Sequence, residues 1–336
     1  MNLPSEPAVT DVLLRREWPY VTVVALAIVI ILGSTLGGRS GNCGHMAGDA
    51  ARGLLSAVPS QEELQVLWSV PLGRLWLVAE GVGNLAGVVL LLYALLRWRR
   101  WRREPALVPE ATWNAWDIAK VTAIYVVLLA IGSAPAGSQA ESVWSWVADC
   151  AARAGAVALA LHVVLRERRG SWRALGLDLR DWRGSLVFGA AAYLAFKPVY
   201  IGVENMARWL WHQLKVQPVP QQAVVIFAST DSAAVRVAIS LMAVLVAPLT
   251  EEFFFRGLVQ GVVRRCWGRG LAILVGALIF ALLHANLYAL PELLALGIVL
   301  GWTYERTRSL VAPVMVHCLH NGMVLLLLWA RVGSGV

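Results

Sequence analysis

Two adjacent glutamates, Glu251 and Glu252, stand in the middle of a strongly apolar stretch, where a charged side chain is expensive. Glu252 and Arg256 are four residues apart, so on a helix they share one face and can neutralise each other. Glu251 is rotated by about 100° from Glu252 on the same helix, and it therefore faces a different environment without that partner. A glutamate in such apolar surroundings is a candidate general base.

Two later apolar stretches carry histidines and an asparagine. Phe280 and His284 are four residues apart in the first, and His317 and Asn321 are four apart in the second. A glutamate base, a histidine that shares its water and a His–Asn pair that donates to an oxyanion are together the groups needed to hydrolyse an amide. Zinc is the competing interpretation, because one Glu and two His also suit that metal. The H-E-x-x-H motif of many zinc proteases is absent, which disfavours zinc.

These polar groups are predicted to share one depth in a membrane. The separations from the nearest arginine are 13, 15 and 13 residues, for Glu251–Arg264, Arg269–His284 and Arg308–Asn321. At 1.5 Å per residue these correspond to about 20–22 Å along a helix. Because a hydrocarbon core is about 30 Å thick and arginines lie outside it, all three groups fall in its middle layer.

The composition sets the class of fold that must position these groups. Hydrophobic residues make up 58% of the 336, charged residues only 15%, and the mean hydropathy is +0.64. A soluble domain has about 45–50% apolar and about 25% charged residues, so a soluble enzyme is excluded. The net charge of +8 comes from arginines at the ends of apolar runs, which is typical of cytoplasmic loops and not of nucleic-acid binding. The sequence therefore predicts an all-α, polytopic integral membrane helical bundle.

About nine transmembrane helices are predicted, with eight as the lower count. They lie at about residues 18–38, 72–96, 118–134, 144–165, 184–206, 235–262, 271–286, 287–304 and 310–330. No small-residue cleavage site follows the first, which is therefore predicted to be a retained helix and not a signal peptide. Arginine-rich loops follow every even-numbered helix, so the N-terminus is predicted to be cytoplasmic and the C-terminus external. The chain is expected in the cytoplasmic (inner) membrane of the cell.

A boundary is predicted near residue 170. Residues 170–182 are polar, basic and amphipathic, and are expected to lie along the membrane interface. We predict an N-terminal membrane region of about four helices at 1–170, and a chemistry-bearing core at 171–336. Within the core, Lys197 is expected to snorkel outward or to pair with Glu204.

The three motifs resemble those of the CAAX-protease and bacteriocin-processing (CPBP, Abi) family of intramembrane endopeptidases. E-E-x-x-x-R is present as Glu251, Glu252 and Arg256 and is followed by Gly257, F-x-x-x-H as Phe280 and His284, and H-x-x-x-N as His317 and Asn321. The resemblance covers roughly residues 170–330. It implies a metal-independent glutamic protease in which Glu251 and His284 activate water. It also implies that His317 and Asn321 form the oxyanion site and that Glu252 and Arg256 support the fold. His320, three residues from His317, is an additional histidine that can share its role.

The expected substrate is a membrane-embedded or membrane-associated peptide or protein in the lipid bilayer, and no cofactor is expected. A zinc-dependent intramembrane protease remains an alternative. A non-catalytic immunity or scaffold protein with the same fold is another, and a transporter with a proton relay is a weaker one. The complete set of Glu251, His284, His317 and Asn321 favours catalysis, because a scaffold has no need of oxyanion donors.

Overall fold

The computed structural model describes residues 61–101, 111–133, 143–217 and 219–334, and all regular secondary structure in them is helical. The first predicted membrane helix, at 18–38, lies outside these residues. The α-helices are α1 (Gln61–Ser69), α2 (Pro71–Trp101), α3 (Ala115–Ser133), α4 (Val143–His162), α5 (Trp182–Gln213), α6 (Gln222–Ser229), α7 (Ala233–Leu241), α8 (Ala247–Glu252), α9 (Gln260–Leu283), α10 (Leu290–Thr307) and α11 (Val311–Ser334). Three π-helical stretches extend or join them, at Val163–Glu167, Met242–Val246 and Phe253–Val259.

Five helical stretches in the described residues are long and apolar enough to cross a membrane. They are Pro71–Tyr93, Trp146–Glu167, Trp182–Gln213, Ala233–Leu283 and Val311–Ser334. The predicted all-α, polytopic membrane bundle is confirmed by these spans.

The individual predicted spans match the helices unevenly. The sixth, and all but the last three residues of the seventh, fall within Ala233–Leu283. This stretch is interrupted at Gly268, where φ is +76° and the backbone is not helical. The third and eighth form α3 and α10, which are not among the five stretches. The count of nine therefore stays a prediction.

Helices from both sides of residue 170 pack together. In the described residues, α2 packs against α5 and α11, and α4 packs against α7 and α8. The fully buried Trp113 donates its indole N–H to the carbonyl oxygen of Leu258 at 2.9 Å. The guanidinium of Arg265 donates to the carbonyl oxygen of Ala111 at 2.6 Å. The division at residue 170 stays a prediction, but the helices before it are anchored to the core that follows.

Lys197 corrects one expectation from the sequence. Its ammonium lies 2.6 Å from a carboxylate oxygen of Glu80 on α2, and only 7% of the residue is exposed. It neither snorkels outward nor pairs with Glu204, because α2 brings a carboxylate directly to it. Gly83 leaves room for the Lys197 side chain, since a Cβ there would lie 3.3 Å from its Cε.

The segment at residues 170–182 has no α-helix before its last residue, where α5 begins. Leu175 is fully buried in the core, whereas Trp172 and Leu179 are more than half exposed. The Arg180 guanidinium donates to the Asp178 carboxylate, and this hydrogen bond holds the pKa of Asp178 below its ordinary value. The position of residues 170–182 at the membrane interface stays a prediction.

Candidate active site

The helix that carries the two glutamates is distorted on both sides of them. Met242–Val246 and Phe253–Val259 are π-helical, so their hydrogen bonds reach five residues back. Pro248 lies at the start of α8 between these stretches and has no N–H to donate. Short π-helical segments of this kind are frequent at functional sites.

Asn321 compensates for the proline. In the π-helical stretch the N–H of Ala247 donates to the carbonyl oxygen of Met242, five residues back. In the same register, the N–H of residue 248 would donate to the carbonyl oxygen of Ala243. That residue is Pro248, and the Asn321 side-chain amide donates to the Ala243 carbonyl oxygen instead, at 2.7 Å. One of the two amide hydrogens of Asn321 is thus engaged in holding α11 to the distorted helix.

We expect Asn321→Ala to lower the free energy of unfolding by about 0.5–1.5 kcal/mol, because it removes the hydrogen bond donated to the partly buried Ala243 carbonyl. Pro248→Ala, introduced into the same protein, supplies a backbone N–H at residue 248 and should restore much of that loss. Thermal unfolding of the two single variants and of the double variant measures this. If the loss of stability in the double variant equalled the sum of the losses in the two single variants, Asn321 and Pro248 would act independently.

The first and third motifs meet at Glu252. This residue is fully buried, and its Oε1 accepts from the Arg256 guanidinium at 3.0 Å and from His317 Nδ1 at 2.9 Å. Arg256, which is 1% exposed, also donates to the carbonyl oxygen of Gly297 at 3.0 Å. Gly297 also lets α10 pack closely on α9, since a Cβ there would lie 2.9 Å from the Ala277 backbone. The cluster is a charge-paired hub that ties together the segments carrying both motifs and α10.

Phe280 of the second motif lies at the centre of this hub. Its fully buried ring lies 5.0 Å from the Arg256 guanidinium and 5.7 Å from the His317 ring. It also contacts the His284 ring, at a centroid distance of 4.6 Å. The structure therefore brings all three motifs to one place.

The two motif histidines each have one ring nitrogen engaged. His284, at the C-terminal end of α9, has Nδ1 2.7 Å from the carbonyl oxygen of Phe280. Because a carbonyl only accepts, Nδ1 carries the proton and the Nε2 of neutral His284 is an acceptor. Nδ1 of His317 is likewise directed at the carboxylate of Glu252, which leaves its Nε2 available.

Glu251 lies apart from this hub, as its rotation on the helix predicts. Its side chain is 21% exposed, whereas that of Glu252 is 0% exposed. Its Oε1 contacts the guanidinium of Arg153 on α4 at 3.5 Å. In the described part of the chain no hydrogen bond joins Glu251 directly to His284, so a bridging water would be needed to connect them. The motif predicts no partner for Glu251, because nothing in its spacing indicates residue 153.

His320 is placed beside Tyr200 of α5, with ring centroids 4.9 Å apart in an edge arrangement. It makes no contact with Glu252, which His317 contacts. Among the described residues, no group of three or more His, Cys, Asp or Glu side chains has an arrangement that could hold a metal ion. Metal independence itself stays a prediction.

Fold and site define a polytopic helical membrane protein with a buried Glu–Arg–His cluster. Residues 233–323, which contain all three motifs, match the family model described as type II CAAX prenyl endopeptidase, Rce1-like. The resemblance drawn from the motifs is thereby confirmed for this segment.

Curated proteins with similar sequences include two described as peptidases. The chain is 31% identical over 88 residues to the membrane-embedded CAAX protease MroQ of Staphylococcus aureus (strain USA300), covering 24% of this chain and 36% of that protein. It is 29% identical over 83 residues to the putative membrane peptidase YdiL of Bacillus subtilis (strain 168), covering 25% and 34%. It is 32% identical over 129 residues to an uncharacterized 24.3 kDa protein of Escherichia coli, covering 37% and 56%. The chain thus spans about a third to a half of these relatives. No solved structure gives a significant match to it.

Proposed function

We propose that this protein is an intramembrane endopeptidase that hydrolyses peptide bonds of membrane-associated proteins or peptides with a water activated by Glu251 and His284. The observation that carries the proposal is the 2.9 Å hydrogen bond between Glu252 and His317, packed against Phe280. It joins the three motifs that define the family in one buried cluster. The match of residues 233–323 to a family of membrane endopeptidases supports the same activity.

In this mechanism Glu251 accepts a proton from water, which is oriented by the free Nε2 of His284. The water oxygen bonds to the carbonyl carbon of the peptide and forms a tetrahedral intermediate. Collapse of that intermediate breaks the C–N bond, and the proton held by Glu251 passes to the leaving amine. Glu251 is the more exposed of the two glutamates, which suits a group that must meet substrate and water.

His317 and Asn321 stabilise the oxyanion. Since Nδ1 of His317 donates to Glu252, its Nε2 can donate to the oxyanion when the ring carries a proton on both nitrogens. The second amide hydrogen of Asn321, which the Ala243 carbonyl leaves free, is the other donor. Glu252 and Arg256 act as positioning residues that hold His317.

The substrate is proposed to reach the site from the bilayer. The protein is proposed to lie in the cytoplasmic membrane with its N-terminus on the cytoplasmic side, as the arginine distribution indicates.

Peptide fragments in membranes provide the test of the activity. Membranes of cells that produce the wild-type protein are compared by mass spectrometry with membranes containing an equal amount of Glu251→Gln. Fragments that appear only with the wild type support the proposal and identify a substrate. Identical fragment sets would favour the non-catalytic scaffold.

Zinc chemistry is the second candidate, because histidines that ligate metals often have the other ring nitrogen bonded to a carbonyl or carboxylate, as His284 and His317 do. We expect the purified protein to carry no stoichiometric zinc and to keep its activity in the presence of chelators. Elemental analysis of the wild type, His284→Ala and His317→Ala measures this. One zinc per wild-type chain, lost together with activity in both variants, would overturn the glutamate mechanism.

A further inference from the structure

Glu251 is contacted by a helix that lies outside the segment matched by the family model. Arg153 on α4 directs its Nη1 at Glu251 Oε1, at 3.5 Å, and at the hydroxyl of the adjacent Thr250, at 3.4 Å. This is the only ion pair of Glu251 among the described residues. The two residues are 98 positions apart in the chain.

Arg153 is itself held in place by its own helix. Its Nε donates to Asp149 Oδ2 at 2.9 Å, one helical turn earlier, and its guanidinium lies 5.9 Å from the ring of Tyr125 on α3. The Tyr125 hydroxyl in turn lies 3.5 Å from Asp149 Oδ1. The planar guanidinium uses its Nε for Asp149 and its Nη1 for Glu251, and its rigid plane fixes the two directions relative to each other, as the rotatable ammonium of a lysine does not.

The charges of this cluster are unequal. The Arg153 guanidinium contacts two carboxylates, that of Asp149 at 2.9 Å and that of Glu251 at 3.5 Å. Glu251 is therefore oriented through one oxygen without being fully neutralised, and its Oε2 stays available to a water molecule. This differs from Glu252, whose partners are closer and fully buried.

We propose that Arg153 is a positioning residue for the general base Glu251, so that α4 supplies part of the reaction machinery. The proposal rests on the proposed function, since it assigns the partner of the proposed base. It also gives a role to a helix of the N-terminal region, for which the motifs imply none.

The first arm of the test measures rate. Kinetics of Arg153→Met and Arg153→Lys are measured on a substrate identified from the membrane fragments. We expect Arg153→Met to lower kcat on the order of 10²-fold with KM unchanged. A displacement of a catalytic group by about 1 Å has an effect of that size. Arg153→Lys should recover part of the lost kcat, since it restores the positive charge but not the two fixed donor directions of the guanidinium. The matched control is Arg166→Met, an exposed arginine on the π-helical extension of α4, which should keep the wild-type rate.

The second arm needs no substrate. The infrared difference spectrum between wild type and Glu251→Gln isolates the carboxylate stretching band of Glu251. We expect this band to shift in Arg153→Met, to be partly restored in Arg153→Lys and to be unchanged in Arg166→Met. Thermal unfolding of each variant shows whether the fold is retained.

The outcomes separate this proposal from the proposed function. Wild-type kcat for Arg153→Met beside an inactive Glu251→Gln would overturn the positioning role and leave the protease function standing. An unshifted band would also overturn it. Wild-type turnover by Glu251→Gln would overturn Glu251 as the general base, and the positioning role with it, although peptide hydrolysis would still stand. The band would then report only whether Arg153 orients Glu251.

Discussion

Glu251→Gln is expected to lower turnover by about 10²–10⁴-fold, the usual contribution of a general base, while the protein stays folded. Glutamine has the shape of glutamate and still forms hydrogen bonds, but it cannot take the proton from water. The only ion pair of Glu251 among the described residues is the 3.5 Å contact with Arg153, and a glutamine oxygen can still accept a hydrogen bond there. Turnover of an identified substrate and the thermal unfolding midpoint are both measured.

The neighbouring glutamate provides a matched control with the opposite outcome. Glu252→Gln has the same chemistry one position later, but it removes the charge that faces buried Arg256 and His317. We expect this variant to lose stability, since an uncompensated charge is left in the core. If Glu251→Gln turned over substrate at the wild-type rate, the general base would have to be another group.

Local spacing in the sequence was enough to predict the parts of the site that lie within one helix. The Glu252–Arg256 pair is formed at four residues' separation, as on any helix, and Glu251 faces a different side. The helical class of the fold follows from long apolar runs, since only helices satisfy their own backbone in lipid over such lengths.

Contacts between residues on different helices could not be predicted from local spacing. His317 bonds to Glu252 across 65 residues, Arg153 reaches Glu251 across 98, and Lys197 finds Glu80 across 117. Spacing along one helix fixes which residues share its face, but it does not determine which helix packs against that face. The hydrogen bond from Asn321 to the Ala243 carbonyl could not be predicted either. In a regular α-helix Pro248 would leave the carbonyl of residue 244 without a donor, but in the π-helical register it is the carbonyl of residue 243. The missing N–H of Pro248 was the available signal.

Arg256→Ala is expected to reduce folding stability by about 3–5 kcal/mol, the range found when one partner of a buried ion pair is removed. Both side chains are essentially inaccessible, so the Glu252 carboxylate would stay buried with only His317 beside it. The carbonyl of Gly297 would also lose its donor, and Phe280 would lose the cation over its ring. The yield of folded protein in membranes and the thermal unfolding midpoint in detergent are the measurements.

A double variant distinguishes the loss of charge balance from the loss of packing. Glu252→Gln together with Arg256→Met removes both charges, keeps an acceptor for His317 and fills the volume of the arginine stem. Because a buried pair replaced by uncharged groups of similar size is often neutral, this double variant should be more stable than Arg256→Ala alone. If both proteins were equally unstable, the contacts of Arg256 with Gly297 and Phe280 would account for the loss. A fully stable Arg256→Ala protein would show that the pair does not hold the hub together.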